Sequence, residues 1–151
     1  TLGELSPIDV HTPAQASQAV AIEPRGHIVV VRPDGGSDSS TSRMEFINPI
    51  DGRSVADVSI RLPHVVGIAY SPRTGNLYAV SQSSQESNPS GVYRIDMDES
   101  RDPSSLSAIA TRIAQVPQPT ALAFGPDGVL YVTSSGSGRN NGSLRKIGGA
   151  L

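Results

Sequence analysis

The chain of 151 residues contains no cysteine, and this absence excludes disulfides, thiolate chemistry and cysteine-ligated zinc sites. Tryptophan is absent too, and aromatic residues make up only 4% of the chain. No apolar run approaches the roughly 20 residues that a membrane-spanning helix needs. We therefore expect a core built from Val, Ile, Leu and Ala, and no membrane span.

The chain also has little net charge, since 12 basic and 14 acidic side chains leave a balance of −2. No basic stripe of the kind that neutralises phosphates is present, so we expect no nucleic-acid partner. The chain begins with Thr rather than Met, and we expect it to be processed or excised from something longer. The lack of cysteine is common to exported and cytosolic proteins and does not separate them, and the location we expect is secreted or periplasmic.

What the chain does contain is a threefold repeat of a short apolar strand, a Pro…Gly turn and a second apolar strand. The three copies cover residues Ala21–Val30, Ala69–Ala79 and Ala123–Val132. Their opening alanines lie about 50 residues apart. A period of that length, made of strands and turns, is typical of β-propeller blades. The 15 Gly and 12 Pro agree with frequent turns and short strands.

Each repeat extends into further strands. The predicted strands cover residues 18–22, 28–31, 44–48 and 54–60 in the first unit, 66–70, 77–80, 92–96 and 106–116 in the second, and 120–124, 130–133 and 144–147 in the third. Segment 106–116 suits an edge strand or a short helix, and we favour the strand by register with the first unit. Polar loops are predicted at 32–42, 81–90 and 134–142.

The third unit lacks the fourth strand of a blade, and the N-terminal segment supplies a candidate. The proline in Glu4–Val10 removes one ladder hydrogen bond, which an outer edge strand tolerates and a central strand does not. The predicted organisation over 1–151 is therefore a closing strand in 1–17, a first blade in 18–63, a second blade in 64–117 and the inner strands of a third blade in 118–151.

Three blades cannot close a ring, because propellers use roughly four to eight. Two copies of the chain, each giving its N-terminal strand to the third blade of the other, would form a six-bladed ring and hide the apolar flanks of the first and third blades. Alternatively, the chain is half of a longer propeller. We expect either a homodimer or a partner formed by the remainder of a longer chain.

The Pro…Gly-x-Leu-Tyr-Val signature, cleanest at 119–132, resembles the NHL and SMP-30/gluconolactonase-like superfamily of β-propellers. The resemblance covers nearly all of the chain beyond residue 17. It implies an all-β propeller fold, but the same blade serves lactonases, dehydrogenases, lyases and binding modules. In gluconolactonase-like relatives a divalent ion is held in the central channel by Glu, Asn and Asp. Those ligands do not map onto this chain, and Glu23 lies beside a short turn on the opposite side.

Ligand binding is predicted on the face that carries the long loops, because binding residues concentrate in such loops. The segments that lead into the first strands of the second and third units share this face. The candidate ligand-binding residues are His64, Gln118, Arg139 and Asn140. His64 is the candidate to line a ligand channel, and Arg139 beside Asn140 suits a carboxylate or a sugar.

Calcium is the cofactor that the loops suggest, because Asp34, Asp38 and Asn141 offer the oxygen ligands that hard cations prefer. A solvated loop is the alternative, since residues 34–40 do not match an EF-hand. No catalytic residue is assigned, because no Gly-x-Ser-x-Gly elbow or hydrolytic triad is evident.

The expected function is a non-enzymatic ligand- or protein-binding propeller that acts through its long-loop face and is closed by homodimerisation. One alternative is a metal-dependent lactonase or hydrolase whose axial site forms on assembly. Another is a structural fragment of a larger exported enzyme.

Overall fold

The computed structural model describes residues 18–34, 40–98, 106–136, 141–149 and 151, and every regular element in them is a strand. In chain order the strands are β1 (Ala19–Ile22), β2 (Ile28–Pro33), β3 (Ser42–Ile47), β4 (Ser54–Ile60), β5 (Val65–Tyr70), β6 (Leu77–Gln85), β7 (Asn88–Asp98), β8 (Ser107–Gln115), β9 (Pro119–Phe124), β10 (Leu130–Ser134) and β11 (Ser143–Ile147). The predicted all-β class is confirmed, and segment 106–116 is indeed a strand.

The strands form three antiparallel blades, each built from consecutive neighbours. Blade 1 contains β1 to β4, blade 2 contains β5 to β8, and blade 3 contains β9 to β11. The outer strands β4 and β8 also pair in parallel, where Ser59 and Ile60 lie opposite Ser107 and Ala108. The segment predicted to complete blade 3 lies outside the described residues. Within the described part, the chain is thus a partial propeller.

The repeated turns follow from glycine at a fixed place in each. Gly26, Gly75 and Gly128 have φ values of 97°, 72° and 77°, which the absence of a β carbon permits at no steric cost. A backbone hydrogen bond of 2.8 Å from Glu23 to His27 closes the first turn, and its counterparts in the other two repeats have nearly the same length. These three turns form one edge of the molecule, which we call the short-turn face.

The polar loop predicted at 81–90 is wrong. Strand β6 continues to Gln85, and β7 begins at Asn88 after a two-residue connection. The ladder uses backbone groups, so polar side chains do not end it. The hydroxyl of Ser81 accepts the amide of Ser83 at 3.1 Å, and that of Ser83 accepts the amide of Gln85 at 3.1 Å, where the register shifts. These bonds satisfy donors that a bulge would otherwise leave unpaired.

Each blade presents two different faces to its neighbours. The face that carries the repeated alanines Ala21, Ala69 and Ala123 is the forward face, which in blades 1 and 2 packs on the next blade. The residues that follow these alanines are Ile22, Tyr70 and Phe124, and they lie on the opposite, rear face. The rear faces of blades 2 and 3 pack on the preceding blade.

The core consists of two junctions between blades. The first junction joins blades 1 and 2 through Val29, Val31, Met44, Phe46, Val58, Ile60, Leu62, Val65, Ile68, Leu77, Ala79, Tyr93, Ile95 and Ala108. The second junction joins blades 2 and 3 through Tyr78, Val80, Val92, Val116, Leu130 and Val132, with Leu122 and Phe124 packed against them. At its centre the rings of Tyr78 and Phe124 meet edge to face, with centroids 5.4 Å apart. The core is mainly aliphatic, as the composition predicts.

Candidate functional site

The edge opposite the short-turn face gathers the predicted binding segments. The connections β2–β3, β6–β7 and β10–β11 turn there, and β5 and β9 begin there. The register establishes this, because Val65 at the start of β5 pairs with Ser81 in the second half of β6, and Pro119 at the start of β9 pairs with Ser134 at the end of β10. We call this edge the long-loop rim.

His64 and Gln118 occupy equivalent places on the rim and share an unusual backbone. Their φ values are 50° and 45°, and no other non-glycine residue in the described ranges has a positive φ. The carbonyl of His64 accepts the amide of Gln82, and that of Gln118 accepts the amide of Ser135, both at 3.0 Å. A left-handed residue of this kind costs about 1–3 kcal/mol, and such strain clusters at functional positions. Both residues are exposed.

Buried hydroxyls hold the backbone around His64 in place. Ser42 donates to the carbonyl of Leu62, and Ser81 donates to that of Pro63, both at 2.6 Å. Both serines are buried, so each bond also satisfies a desolvated hydroxyl. The segment between blades 1 and 2 is therefore fixed from both sides.

A side chain of blade 2 also fixes the entry to blade 3. The side-chain amide of Gln82 donates to the carbonyl of Pro119 at 2.8 Å. Because Pro119 begins β9, this bond joins the rim of blade 2 to that of blade 3 next to Gln118. The rim is thus continuous across the two blades.

A polar cavity of about 850 Å³ lies between the outer strands of blades 1 and 2, and the rim connections of both blades form part of its walls. Its lining residues are Ser40, Thr41, Ser59, Arg61, Ser87, Asn88, Ala108, Ile109 and Ala110. Hydroxyl and amide groups on such walls suit a ligand rich in hydroxyls, and a guanidinium suits a carboxylate. Arg61 is exposed and forms no ion pair with another described residue. Sequence reasoning missed Arg61, because nothing in its local pattern marks it.

The predicted calcium ligands are only partly described. The carboxylate of Asp34 accepts the hydroxyl of Thr41 at 3.1 Å, and the Asp34 amide donates to the Thr41 carbonyl at 3.3 Å. Asn141 is exposed. Asp38, together with the ligand-binding candidates Arg139 and Asn140, lies outside the described residues. Among the residues that are described, no group of three or more His, Asp or Glu side chains could hold a metal. The calcium site stays a prediction.

Blade 1 carries a charged network on its rear face that the sequence reasoning also missed. Asp57 lies 3.0 Å from Arg43 and 3.5 Å from Arg32, and Arg32 lies 3.8 Å from Glu45. Glu45 is only 3% exposed. The hydrogen bond to Asp57 raises the pKa of Arg43. The alternation of Arg43 and Glu45 on β3 was the signal that places them on one face.

The innermost strands β1, β5 and β9 border a second cavity of about 340 Å³. Its lining residues are Gln18, Ala19, Val20, Val66, Gly67, Ile68, Ala121 and Leu122. This part of the described structure brings no carboxylate or histidine to the innermost strands. These lining residues therefore do not provide the carboxylate or imidazole ligands that an axial metal site would need.

Comparison with known proteins identifies the fold and goes no further. No protein-family model matches the chain, and no curated protein matches it. Hydrazine synthase from Kuenenia stuttgartiensis is similar in structure, with 18% identity and a TM-score of 0.57 over 87% of this chain and 33% of that one. The PQQ-bound form of aldose sugar dehydrogenase from Streptomyces coelicolor gives 22% identity and a TM-score of 0.58 over 85% of this chain and 40% of that one.

This chain spans less than half the length of either protein. At such identities the likeness shows the fold alone, which is that of a β-propeller. The propeller part of the sequence prediction is confirmed, whereas the NHL and SMP-30 assignment stays a prediction. In the residues that the structure describes, no helix is both long and apolar enough to cross a bilayer.

Proposed function

We propose that this chain is a non-enzymatic ligand- or protein-binding segment of a β-propeller, and that it binds through its long-loop rim. The observation that carries the proposal is the repeated left-handed backbone at His64 and Gln118. Two blades hold an exposed residue in the same costly backbone conformation at the same place. Apart from glycines, no other residue in the described ranges adopts a positive φ.

The chemistry of the rim favours a small polar ligand that carries a carboxylate. The rim cavity has hydroxyl-bearing walls, and among the described residues no carboxylate pairs with the guanidinium of Arg61. Arginine binds carboxylates through paired hydrogen bonds, while serine and threonine hydroxyls suit the hydroxyls of a sugar. A sugar acid combines both features.

D-glucuronate, with D-glucose and calcium as further probes, tests the proposal by titration of the isotope-labelled protein in two-dimensional amide NMR. We expect glucuronate to shift the amides of Arg61, His64 and Asn88. Arg61→Ala should weaken its binding about tenfold, as expected for the loss of a charge-assisted hydrogen bond. Arg25→Ala, which removes an exposed arginine from the short-turn face, is the matched control and should leave binding unchanged.

Shifts confined to the short-turn face, or a rim that responds to none of the probes, would contradict the proposal. Calcium shifts at Asp34 and Asn141 would support the predicted metal site.

An oxidoreductase is the second candidate, because the likeness to a PQQ-bound sugar dehydrogenase supports it. The second cavity, which the innermost strands border, does not fit that cofactor well, since none of its lining residues is a cation that could pair with the carboxylates of PQQ. We therefore assign no redox step to this chain. Oxidation of an aldose by the protein with PQQ and calcium, measured with an electron-accepting dye, would replace the binding proposal.

A further inference from the structure

The rear face of blade 1 exposes side chains whose counterparts are packed in the other blades. Val20 and Ile22 are each 62% exposed. Ile22 pairs with the residue that resumes the sheet after the short turn, as Tyr70 and Phe124 do in blades 2 and 3. Tyr70 packs on blade 1 and Phe124 packs on blade 2. The repeat therefore predicts a preceding blade that packs against Ile22.

The forward face of blade 3 has the complementary property. Tyr131 is 36% exposed, whereas Tyr78 at the equivalent place in blade 2 is 1% exposed. Leu144 is 67% exposed, whereas Val92 at its equivalent place is fully buried. The equivalence follows from register, since Tyr131 pairs with Ala123 as Tyr78 pairs with Ala69. The repeat therefore also predicts a following blade that packs against Tyr131.

The second junction shows what these two flanks would do together. There the forward-facing Tyr78 packs edge to face on the rear-facing Phe124. The same arrangement at the open flanks would bring Tyr131 against Ile22.

Side-chain sizes at the innermost strands agree with this pairing. At the second junction Gly67 faces Leu122, and a β carbon at position 67 would lie 2.8 Å from the Leu122 side chain. The equivalent pair at the open flanks is Ala121 and Val20. Ala121 has one methyl group more than Gly67, whereas Val20 has one methylene group fewer than Leu122. The total side-chain volume of the two pairs is therefore nearly the same.

We propose that the forward face of blade 3 binds the rear face of blade 1 of a second copy, with Tyr131 packed on Ile22 of that copy. Both halves of the contact occur on this chain, so a second copy offers the complementary surface. The contact is head to tail, and such contacts form a ring only when the rotation closes. Two copies contribute six blades, within the range of roughly four to eight that propellers use.

Sedimentation velocity and native mass spectrometry at several concentrations test the contact. We expect the unaltered protein at twice the monomer mass of 15.7 kDa. Ile22→Lys and Tyr131→Glu should each lower the dimerisation affinity at least about thirtyfold, the loss expected for a central apolar residue of an interface. Ile50→Lys is the control, because Ile50 is 93% exposed in a turn away from both flanks.

Mixing the two variants tests the head-to-tail geometry. A mixed dimer has one unaltered contact and one in which the introduced lysine faces the introduced glutamate, so we expect dimers to reappear in the mixture. In a dimer that pairs like flanks, every contact would keep an altered residue and mixing would restore nothing.

A monomeric unaltered protein, variants that stay dimeric, or a mixture that stays monomeric would each overturn the inference. The NMR titration of the rim is independent of this readout. Failure of the rim to bind glucuronate, with dimerisation intact, would refute the proposed function and leave the interface standing.

Discussion

The two junctions between blades use the same pair of faces but different means of holding them. The first junction is mainly aliphatic, with Phe46 and Tyr93 as its buried aromatic residues, and the pairing of β4 with β8 extends it to the outer strands. The second junction centres on the Tyr78–Phe124 contact near the innermost strands. In the described residues, blade 3 has no outer strand to match β4 or β8.

This difference shows how a repeated architecture can have uneven stability. The repeat determines which faces meet, whereas the side chains at each junction determine how firmly they are held. We expect blade 3 to open at lower free energy than blades 1 and 2, since regions with fewer buried apolar contacts unfold locally first.

The largest effect that would sharpen this comparison is expected from Tyr78→Ala. Removing a fully buried aromatic ring costs about 3–5 kcal/mol. Because the ring packs on Phe124, protection from amide hydrogen exchange should fall first in β9, β10 and β11. Urea unfolding measures the total loss, and native-state hydrogen exchange measures where it occurs.

Met44→Ala is the counterpart at the first junction, where we expect a loss of about 2–5 kcal/mol that is concentrated in blades 1 and 2. If both substitutions loosened the same amides to the same extent, the two junctions would belong to one cooperative unit and the comparison would fail.

A smaller effect is expected from Gly67→Ala at the innermost strands of the second junction. The new β carbon would lie 2.8 Å from the Leu122 side chain and 3.0 Å from that of Val80, and overpacking of this kind costs about 1–3 kcal/mol. Leu122→Val in the same molecule should recover part of the loss. Gly148→Ala, which meets nothing within 4 Å, is the control. Thermal unfolding measures the loss of stability. If Gly67→Ala left the unfolding temperature unchanged, the junction would have room for the added methyl group and the predicted overpacking would be wrong.

The smallest effect distinguishes Tyr70 from its counterpart Phe124. Burial, with a further contribution from Glu23, raises the pKa of Tyr70 from 10.0 to about 12. The folded state therefore favours the protonated phenol. The stabilisation is complete below pH 10 and is lost as the pH rises from 10 towards 12.

Tyr70→Phe should consequently flatten the alkaline decline in unfolding free energy. Burial also raises the pKa of Tyr93, so only the difference between the two proteins reports on Tyr70. Phenolate absorbance during the same titration is the check, and an unchanged slope in the variant would contradict the assignment.

Much of the fold was predictable because its signals are local. The Pro…Gly turns, with glycine at positive φ, locate the first two strands of each blade, and register with the first unit correctly favoured a strand at β8. The polar segment 81–90 was misjudged because strand pairing there depends on backbone groups and serine hydroxyls rather than on apolar alternation.

The candidate site was predictable only in outline. Strand order alone places His64 and Gln118 on the long-loop rim. Arg61 and Asn88 come together only because the end of β4 and the start of β7 border one cavity between two blades. No local sequence pattern indicates that residues of two different blades will line the same cavity.

Ile22, Tyr70 and Phe124 illustrate what the sequence determined by itself and what only the tertiary structure decided. The sequence places all three at the same point of the repeat, just before the short turn and on the rear face of a blade. Phe124 and Tyr70 are nevertheless packed, while Ile22 is exposed. Side-chain alternation is a property of the strand, but burial depends on which blade stands in front of it. The position of that neighbouring blade is set only when the blades pack together in the tertiary structure.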